Sequence, residues 1–137
     1  MSDVLFVCVH NAGRSQMAKS LFNRLSRQRG LRLRAESAGT EPGEHVHANV
    51  IEAMREVGQD LTGEHPKMLT NDMVKEAQRV ITMGCAVDAE ACPALFLKDV
   101  EDWGLPDPKD GSLADVRAIR DTISQRVEEL IASLKSE

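Results

Sequence analysis

Tyrosine is absent from this 137-residue chain, and the other aromatic residues amount to one tryptophan and three phenylalanines. So few rings leave little for nucleobases to stack on, and the formal charge of −5 repels polyanions, so no nucleic-acid partner is expected. Cysteine is also scarce: Cys8, Cys85 and Cys92 are the only three, and they form no Cys-x2-Cys pair. That is no disulfide framework, and in a reducing compartment such thiols are reactive ones. Even with four histidines the spacing matches no structural zinc pattern, so no metal is expected. No apolar run approaches the ~20 residues of a membrane span, and neither a basic region nor a cleavage site precedes the first apolar run. The expectation is a soluble, cytoplasmic, monomeric protein that makes no membrane contact and folds as one domain over residues 1–137.

The charge that is present is unevenly spread. Residues 4–35 hold Arg14, Lys19, Arg24, Arg27, Arg29, Arg32 and Arg34 and no acid, leaving 10 basic against 22 acidic residues for the rest. Individually these are solvated side chains of a helix face. Together they draw small anions toward the N-terminal segment, an effect that salt weakens.

That segment holds the most informative stretch. Val4-Leu5-Phe6-Val7 is short, β-branched and aromatic, as a central parallel strand covered on both faces requires, and Cys8 stands at its carboxyl end. From Ser15 onward Met17, Ala18, Leu21, Phe22 and Leu25 recur at helical spacing, with Ser15 suited to open the helix. The loop of Val9, His10, Asn11, Ala12, Gly13, Arg14 and Ser15 therefore joins a strand to a helix N-terminus, where unpaired N–H groups and the helix dipole attract anions. Gly13 supplies backbone freedom. Cys8 at the floor of such a cradle is biased toward the thiolate by the N–H groups and by Arg14. The Arg14 guanidinium can also hold two oxygens of a tetrahedral oxyanion, which a lysine cannot. Ser15 can donate to the sulfur, and Asn11 can brace the loop from within. A Cys-x5-Arg spacing alone is a common accident; the strand before it, the glycine inside it and the helix after it are what give it meaning.

Further on, residues 31–38 read as a strand toward the sheet edge and 39–47 as a loop, whose His45 and His47 are assigned no role. Residues 48–57 form a helix ended by Gly58, and 70–77 a short helix capped by Thr70 or Asn71. Residues 80–83 and 95–100 are two more strands. Residues 113–134 are a long helix with Ile119, Ile123, Val127, Leu130, Ile131 and Leu134 facing inward. Alternating strands and helices make an α/β layered fold with a parallel sheet, in which ligands gather at the carboxyl ends of the strands. Cys8, Cys85 and Asp107 each follow a predicted strand. Asp107, between Pro106 and Pro108, is first a turn signal and second a general acid, its acidity lowered by any of Asp99, Glu101, Asp102 or Asp110 that lies close. Trp103 is expected in the core. Cys85 and Cys92 are seven residues apart, roughly 10 Å along a helix, too far for a disulfide unless that turn unwinds.

Cys8-Val-His-Asn-Ala-Gly-Arg14-Ser15-Gln16-Met17-Ala18 resembles the phosphate loop of the low-molecular-weight protein tyrosine phosphatase fold, and more narrowly that of its arsenate reductase branch. The resemblance continues through Glu36 to Thr40, Asp60 to Thr62, Val80 to Met83, the Cys85 and Cys92 pair, and Trp103 to Pro108. It implies a three-layer fold with a four-stranded parallel sheet in the order 2-1-3-4 and helices on both faces. It also implies Asp107 as the acid and a thioredoxin-coupled reduction of arsenate by Cys8, Cys85 and Cys92 in series. No cofactor is bound; thioredoxin or another small dithiol protein supplies electrons, and phosphate or sulfate competes for the cradle. The nearest rival is a phosphatase that hydrolyses a Cys8 phosphoenzyme with water, which needs neither Cys85 nor Cys92 and whose family members tend to carry tyrosines beside the acid. A non-enzymatic oxyanion or redox sensor leaves Asp107 unexplained. Some members of the family hold potassium beside the loop through acidic residues. The matching positions here are Lys19 and Lys67, with Asn11 and Ser37 as remnants, so an ammonium is expected to replace the ion.

Overall fold

The computed structural model describes residues 3–83, 100–106 and 111–135. Its elements run β1 (Val4–Cys8), α1 (Arg14–Gln28), β2 (Ala35–Gly39), α2 (Ala48–Arg55), α3 (Asn71–Glu76), β3 (Arg79–Thr82), β4 (Val100–Asp102) and α4 (Leu113–Lys135). The four strands form one sheet in the order β2-β1-β3-β4, every neighbouring pair parallel. This is the order and layering implied by the family resemblance.

The period-2 geometry of β1 divides its side chains between two cores. Val4, Phe6 and Cys8 face one, with Met17, Leu21 and Phe22 of α1, Val50 and Met54 of α2, and the inner stripe of α4. Leu5 and Val7 face the other, with Val80, Leu69 and Val74 of α3. A strand buried on both faces has no solvent side to mark with polar residues, which is why Val4–Val7 reads as an unbroken apolar run. All six α4 residues expected inward are buried. Trp103 is in the core too, 4% exposed, its ring centroid 5.5 Å from that of Phe6.

Element ends follow local chemistry. The Thr70 hydroxyl accepts from Met73 N at 3.2 Å, capping α3 as expected. Ser112 and Asp115 cap α4 reciprocally: Asp115 N donates to Ser112 Oγ at 3.1 Å and Ser112 N to Asp115 Oδ2 at 3.3 Å. α2 gives way to a turn in which Gly58 adopts φ +79° and Gln59 N returns to Met54 O at 3.0 Å.

Three expectations need correction. Ser15 does not open α1; the helix begins at Arg14 behind Gly13, without a side-chain cap, because the Ser15 hydroxyl is spent on the cysteine. The second strand runs Ala35–Gly39 where 31–38 was expected, Leu31 and Leu33 packing on the core without joining the sheet. Gly13 (φ −144°, ψ −93°) does take a backbone that other residues avoid, and Asn11 (φ 51°) is left-handed. The fourth strand reaches Asp102, whereas 95–100 was the predicted span. Its Glu101 and Asp102 carry no apolar signal, and their carboxylates are instead used by Trp103 Nε1 (2.7 Å) and Thr82 Oγ1 (2.9 Å). Residues 95–99 lie outside the described residues, as do Cys85, Cys92 and Asp107.

Candidate active site

β1 delivers Cys8 to the carboxyl edge of the sheet, where it is 4% exposed. The loop that follows is shaped from outside. Residues 40–47 run back over it as a strap: Thr40 N donates to Cys8 O, Glu41 N to Val9 O, Gly43 N to His10 O and His47 N to Ala12 O, at 3.3, 2.8, 2.9 and 2.9 Å. The carbonyl between these, Asn11 O, accepts from Gln16 Nε2 at 3.1 Å. A trans peptide holds its N–H opposite to its C=O, so carbonyls committed to the outside turn the following N–H groups inward. Asn11 N bears this out, pointing at Cys8 Sγ from 3.1 Å.

Asn11 is the brace. Its Nδ2 donates to Ser15 Oγ at 2.7 Å, and its Oδ1 accepts from Gln16 Nε2 at 3.0 Å and from Lys67 N at 2.9 Å. Ser15 Oγ lies 2.9 Å from Cys8 Sγ. Since Asn11 fills an acceptor position on that oxygen, the single Ser15 hydrogen is available to the sulfur. Two N–H or O–H groups aimed at one sulfur favour its anionic form. Behind the brace, Lys19 Nζ and Lys67 Nζ both bind Glu36 Oε1, at 3.0 and 2.5 Å, and Lys19 also meets Glu64 at 3.5 Å. Burial opposes charge on Lys19 and on Glu36, but their hydrogen bonds outweigh it, raising the Lys19 pKa and lowering that of Glu36. Ser37 Oγ, beside Glu36 in sequence, is buried with no hydrogen-bond partner.

Arg14 is 6% exposed. Its Nη1 donates to Met83 O at 2.9 Å and to Leu105 O at 2.6 Å, which uses both hydrogens of that nitrogen. Any bidentate hold on an anion has therefore to use the Nε and Nη2 side of the fork. Met83 and Leu105 precede Cys85 and Asp107 by two residues each. His10 Nδ1 lies 2.9 Å from Glu41 O, and because a carbonyl only accepts, Nδ1 carries the proton. A cavity of about 120 Å³ is lined by Cys8, Arg14, loop residues 9, 10, 12 and 13, and His47.

Cys8, Arg14, Asn11 and Ser15 are thus brought together as the sequence suggests. The strap over residues 40–47, the Lys67 N contact and the two carbonyls on Arg14 have no local signal, since each uses main-chain groups of segments distant in sequence. Gln16, five residues from Asn11, is a local partner to which the sequence assigns no role. His47, assigned no role from sequence, lines the cavity.

Comparison with known proteins agrees with this geometry. A Halobacterium salinarum protein provisionally named an arsenate reductase is 42% identical over 130 residues, covering 91% of this chain and 87% of that protein. A Synechocystis protein named glutaredoxin arsenate reductase is 35% identical over 136 residues, 98% of this chain and 99% of its own. A solved structure described as an arsenate reductase in the phosphate binding state superposes with a TM-score of 0.81 at 34% identity, covering 97% of this chain and 98% of the other. The family model for low molecular weight phosphotyrosine protein phosphatases matches residues 3–137, and the chain belongs to that family.

Proposed function

We propose that this protein reduces arsenate to arsenite. Cys8 thiolate attacks the arsenic(V) of arsenate held by the loop N–H groups and Arg14, an As–O bond breaks, and Asp107 protonates the departing hydroxide to water. Cys85 thiolate then attacks Cys8 Sγ. The S–S bond forms, the As–S electron pair passes to arsenic, and arsenite, now arsenic(III), leaves. Cys92 attacks Cys85, frees the Cys8 thiolate and leaves a Cys85–Cys92 disulfide, which thioredoxin or a similar dithiol reduces by exchange.

The observation that carries this reading is the pair of hydrogen bonds from Arg14 to Met83 O and Leu105 O. These two bonds fix Met83 and Leu105, the residues two before Cys85 and Asp107 in sequence, to the arginine of the phosphate loop, which supports assigning Cys85 and Asp107 to the reaction at Cys8. The names of the relatives favour arsenate as substrate, and one of those names includes glutaredoxin, which we take as the alternative dithiol for the exchange step. The family's own name supports a second reading, hydrolysis of phosphate monoesters through a Cys8 phosphoenzyme, for which the same loop suffices.

The deciding experiment follows arsenate-dependent oxidation of thioredoxin or glutaredoxin alongside hydrolysis of p-nitrophenyl phosphate. Cys85→Ser should keep the hydrolysis and lose arsenate turnover. Cys92→Ser should stop after one turnover with Cys8 joined to Cys85, which peptide mapping identifies. Wild-type arsenate turnover in both variants would remove the relay, and ester hydrolysis without any arsenate reduction would leave the phosphatase.

A further inference from the structure

We propose that the amino end of the sheet carries a second anion site, a groove that takes a small organic polyanion bearing two or more phosphate or carboxylate groups. The groove, about 400 Å³, lies between α1 and residues 31–34, which lead into β2. Its charged lining is Arg27, Arg32 and Arg34, with no acid. It stands apart from the Cys8 loop: Arg14 opens the 15-residue α1 and Arg27 lies in its last turn, about 20 Å further along the axis. Arg34 likewise adjoins Ala35 at the start of β2, whereas Cys8 pairs with Gly39 at its end. The site therefore does not depend on the reaction proposed at Cys8.

Polar side chains of α1 preorganise the frame. The hydroxyl of Ser26, a residue 1% exposed, reaches Leu33 O at 2.8 Å and Leu31 O at 3.3 Å and pins that segment to the helix. Asn23 holds Ala35 as a neighbouring strand would, accepting from its N at 2.8 Å and donating to its O at 3.1 Å. Leu31 and Leu33 pack against the core while Arg32 and Arg34, alternating with them, stay exposed, their Cα atoms at most about 7 Å apart. Folding gives no reason for this clustering of charge. Acidic residues outnumber basic ones, 22 to 17, and Arg29, Arg79, Arg117 and Arg120 each bind a carboxylate. Arg27, Arg32 and Arg34 bind none among the described residues, so three guanidiniums share one groove with nothing to offset their repulsion. A bound polyanion offsets it. Each planar guanidinium can take two oxygens of a phosphate or carboxylate, and several so close together match several anionic groups on one molecule rather than a lone ion. Leu31 and Leu33 offer its body apolar contact, and the volume falls within the roughly 300–1,000 Å³ of small-molecule sites. A docked acidic protein needs a face of about 800 Å² instead.

The test follows backbone amide NMR shifts of the full, reduced, isotope-labelled protein with three probes: inorganic phosphate, fructose 1,6-bisphosphate and a polyglutamate peptide. The bisphosphate should shift residues 26–34 saturably and bind there about tenfold more tightly than inorganic phosphate. Arg32→Gln combined with Arg34→Gln should weaken that binding about tenfold or more, while melting within about 2 °C of wild type and leaving the phosphate-induced shifts of residues 9–15 as they are. Arg29→Gln combined with Arg55→Gln removes the same charge from outside the groove and should change the affinity less than about threefold. Equal loss in the two double variants would reduce the effect to net charge and overturn the proposal. So would bisphosphate binding no tighter than phosphate, or shifts at residues 26–34 with polyglutamate alone, which would make the groove a protein contact. Arsenate turnover is not read in this experiment, so the proposed function stands or falls separately.

Discussion

Gly39 ends β2 opposite Cys8, and its lack of a side chain is what lets the phosphate loop lie against the sheet. A Cβ built there stands 2.5 Å from Val9 O, 2.9 Å from Asn11 N and 3.1 Å from Asn11 Cβ. A carbon and a carbonyl oxygen approach no closer than about 3.3 Å in unstrained contacts, so Gly39→Ala must open the gap by roughly 0.8 Å. Two of the obstacles are main-chain atoms, which no rotamer change removes. Nor can residue 39 retreat, since its N–H donates to Lys67 O at 2.9 Å and its carbonyl accepts from Leu69 N at 2.8 Å. The loop has to move, taking Asn11 N away from the sulfur and Val9 O away from the strap. Overpacking of this kind costs about 1–3 kcal/mol, or roughly 3–12 °C of melting temperature in a domain of this size. A displacement approaching 1 Å at a reacting group costs on the order of 10²-fold in rate. The assay is thermal melting with phosphate calorimetry and arsenate kcat/KM, and Gly43→Ala is the control. There the new Cβ meets Ala12 Cβ, His10 O and His45 O at 3.9–4.0 Å, ordinary contact, so the change should stay within about 0.5 kcal/mol. Gly39→Ala with wild-type melting and anion affinity, or Gly43→Ala equally damaged, would refute the reasoning.

Glu56 ties α2 to α4: Arg117 Nε reaches Oε1 at 2.9 Å, Arg120 Nη1 reaches the same oxygen at 2.9 Å, and these bonds, Arg117's foremost, hold the carboxyl down to about 2 from its usual 4.5. A depressed folded-state value contributes stability above pH 4.5 that is lost as pH falls through 2, so the melting-temperature gap between wild type and Glu56→Gln should be steady above pH 5 and close toward pH 2. A gap that persists unchanged at pH 2 would sink this assignment. At Glu36, where Lys19 and Lys67 share one carboxylate oxygen, exchanging sodium for potassium should alter neither melting nor turnover. A potassium-specific rise in either quantity would show that the two ammoniums do not take the place of an ion.

Where a signal was local and periodic, the sequence was readable. Val4–Val7 declared a doubly covered strand, α4 its buried stripe, and Thr70 its cap, because side-chain burial and capping are written in residue type at fixed spacing. Cys8 and Arg14 were legible because strand, loop and helix follow one another without interruption. The carboxyl end of β4 was missed because Glu101 and Asp102 sit on an exposed edge strand held by hydrogen bonds rather than by apolar contact. Ser15 looked like a helix cap because serine caps helices and binds sulfur with the same hydroxyl, and only the neighbouring Asn11 decides between the two uses. The strap over residues 40–47 acts through main-chain groups, four N–H donors and the Glu41 carbonyl, which nearly every residue possesses, so its residue types do not reveal it.

The reach of Arg14 has a consequence for how the protein is made. Its two carbonyl partners lie 69 and 91 residues further along the chain. At synthesis rates of roughly 5–20 residues per second, Cys8 precedes Leu105 by about 5–20 s. Through that interval the strap, the brace and the guanidinium have not all closed around the sulfur. In the proposed reaction the nucleophile is thus made early and framed late, when the chain that uses it is nearly complete.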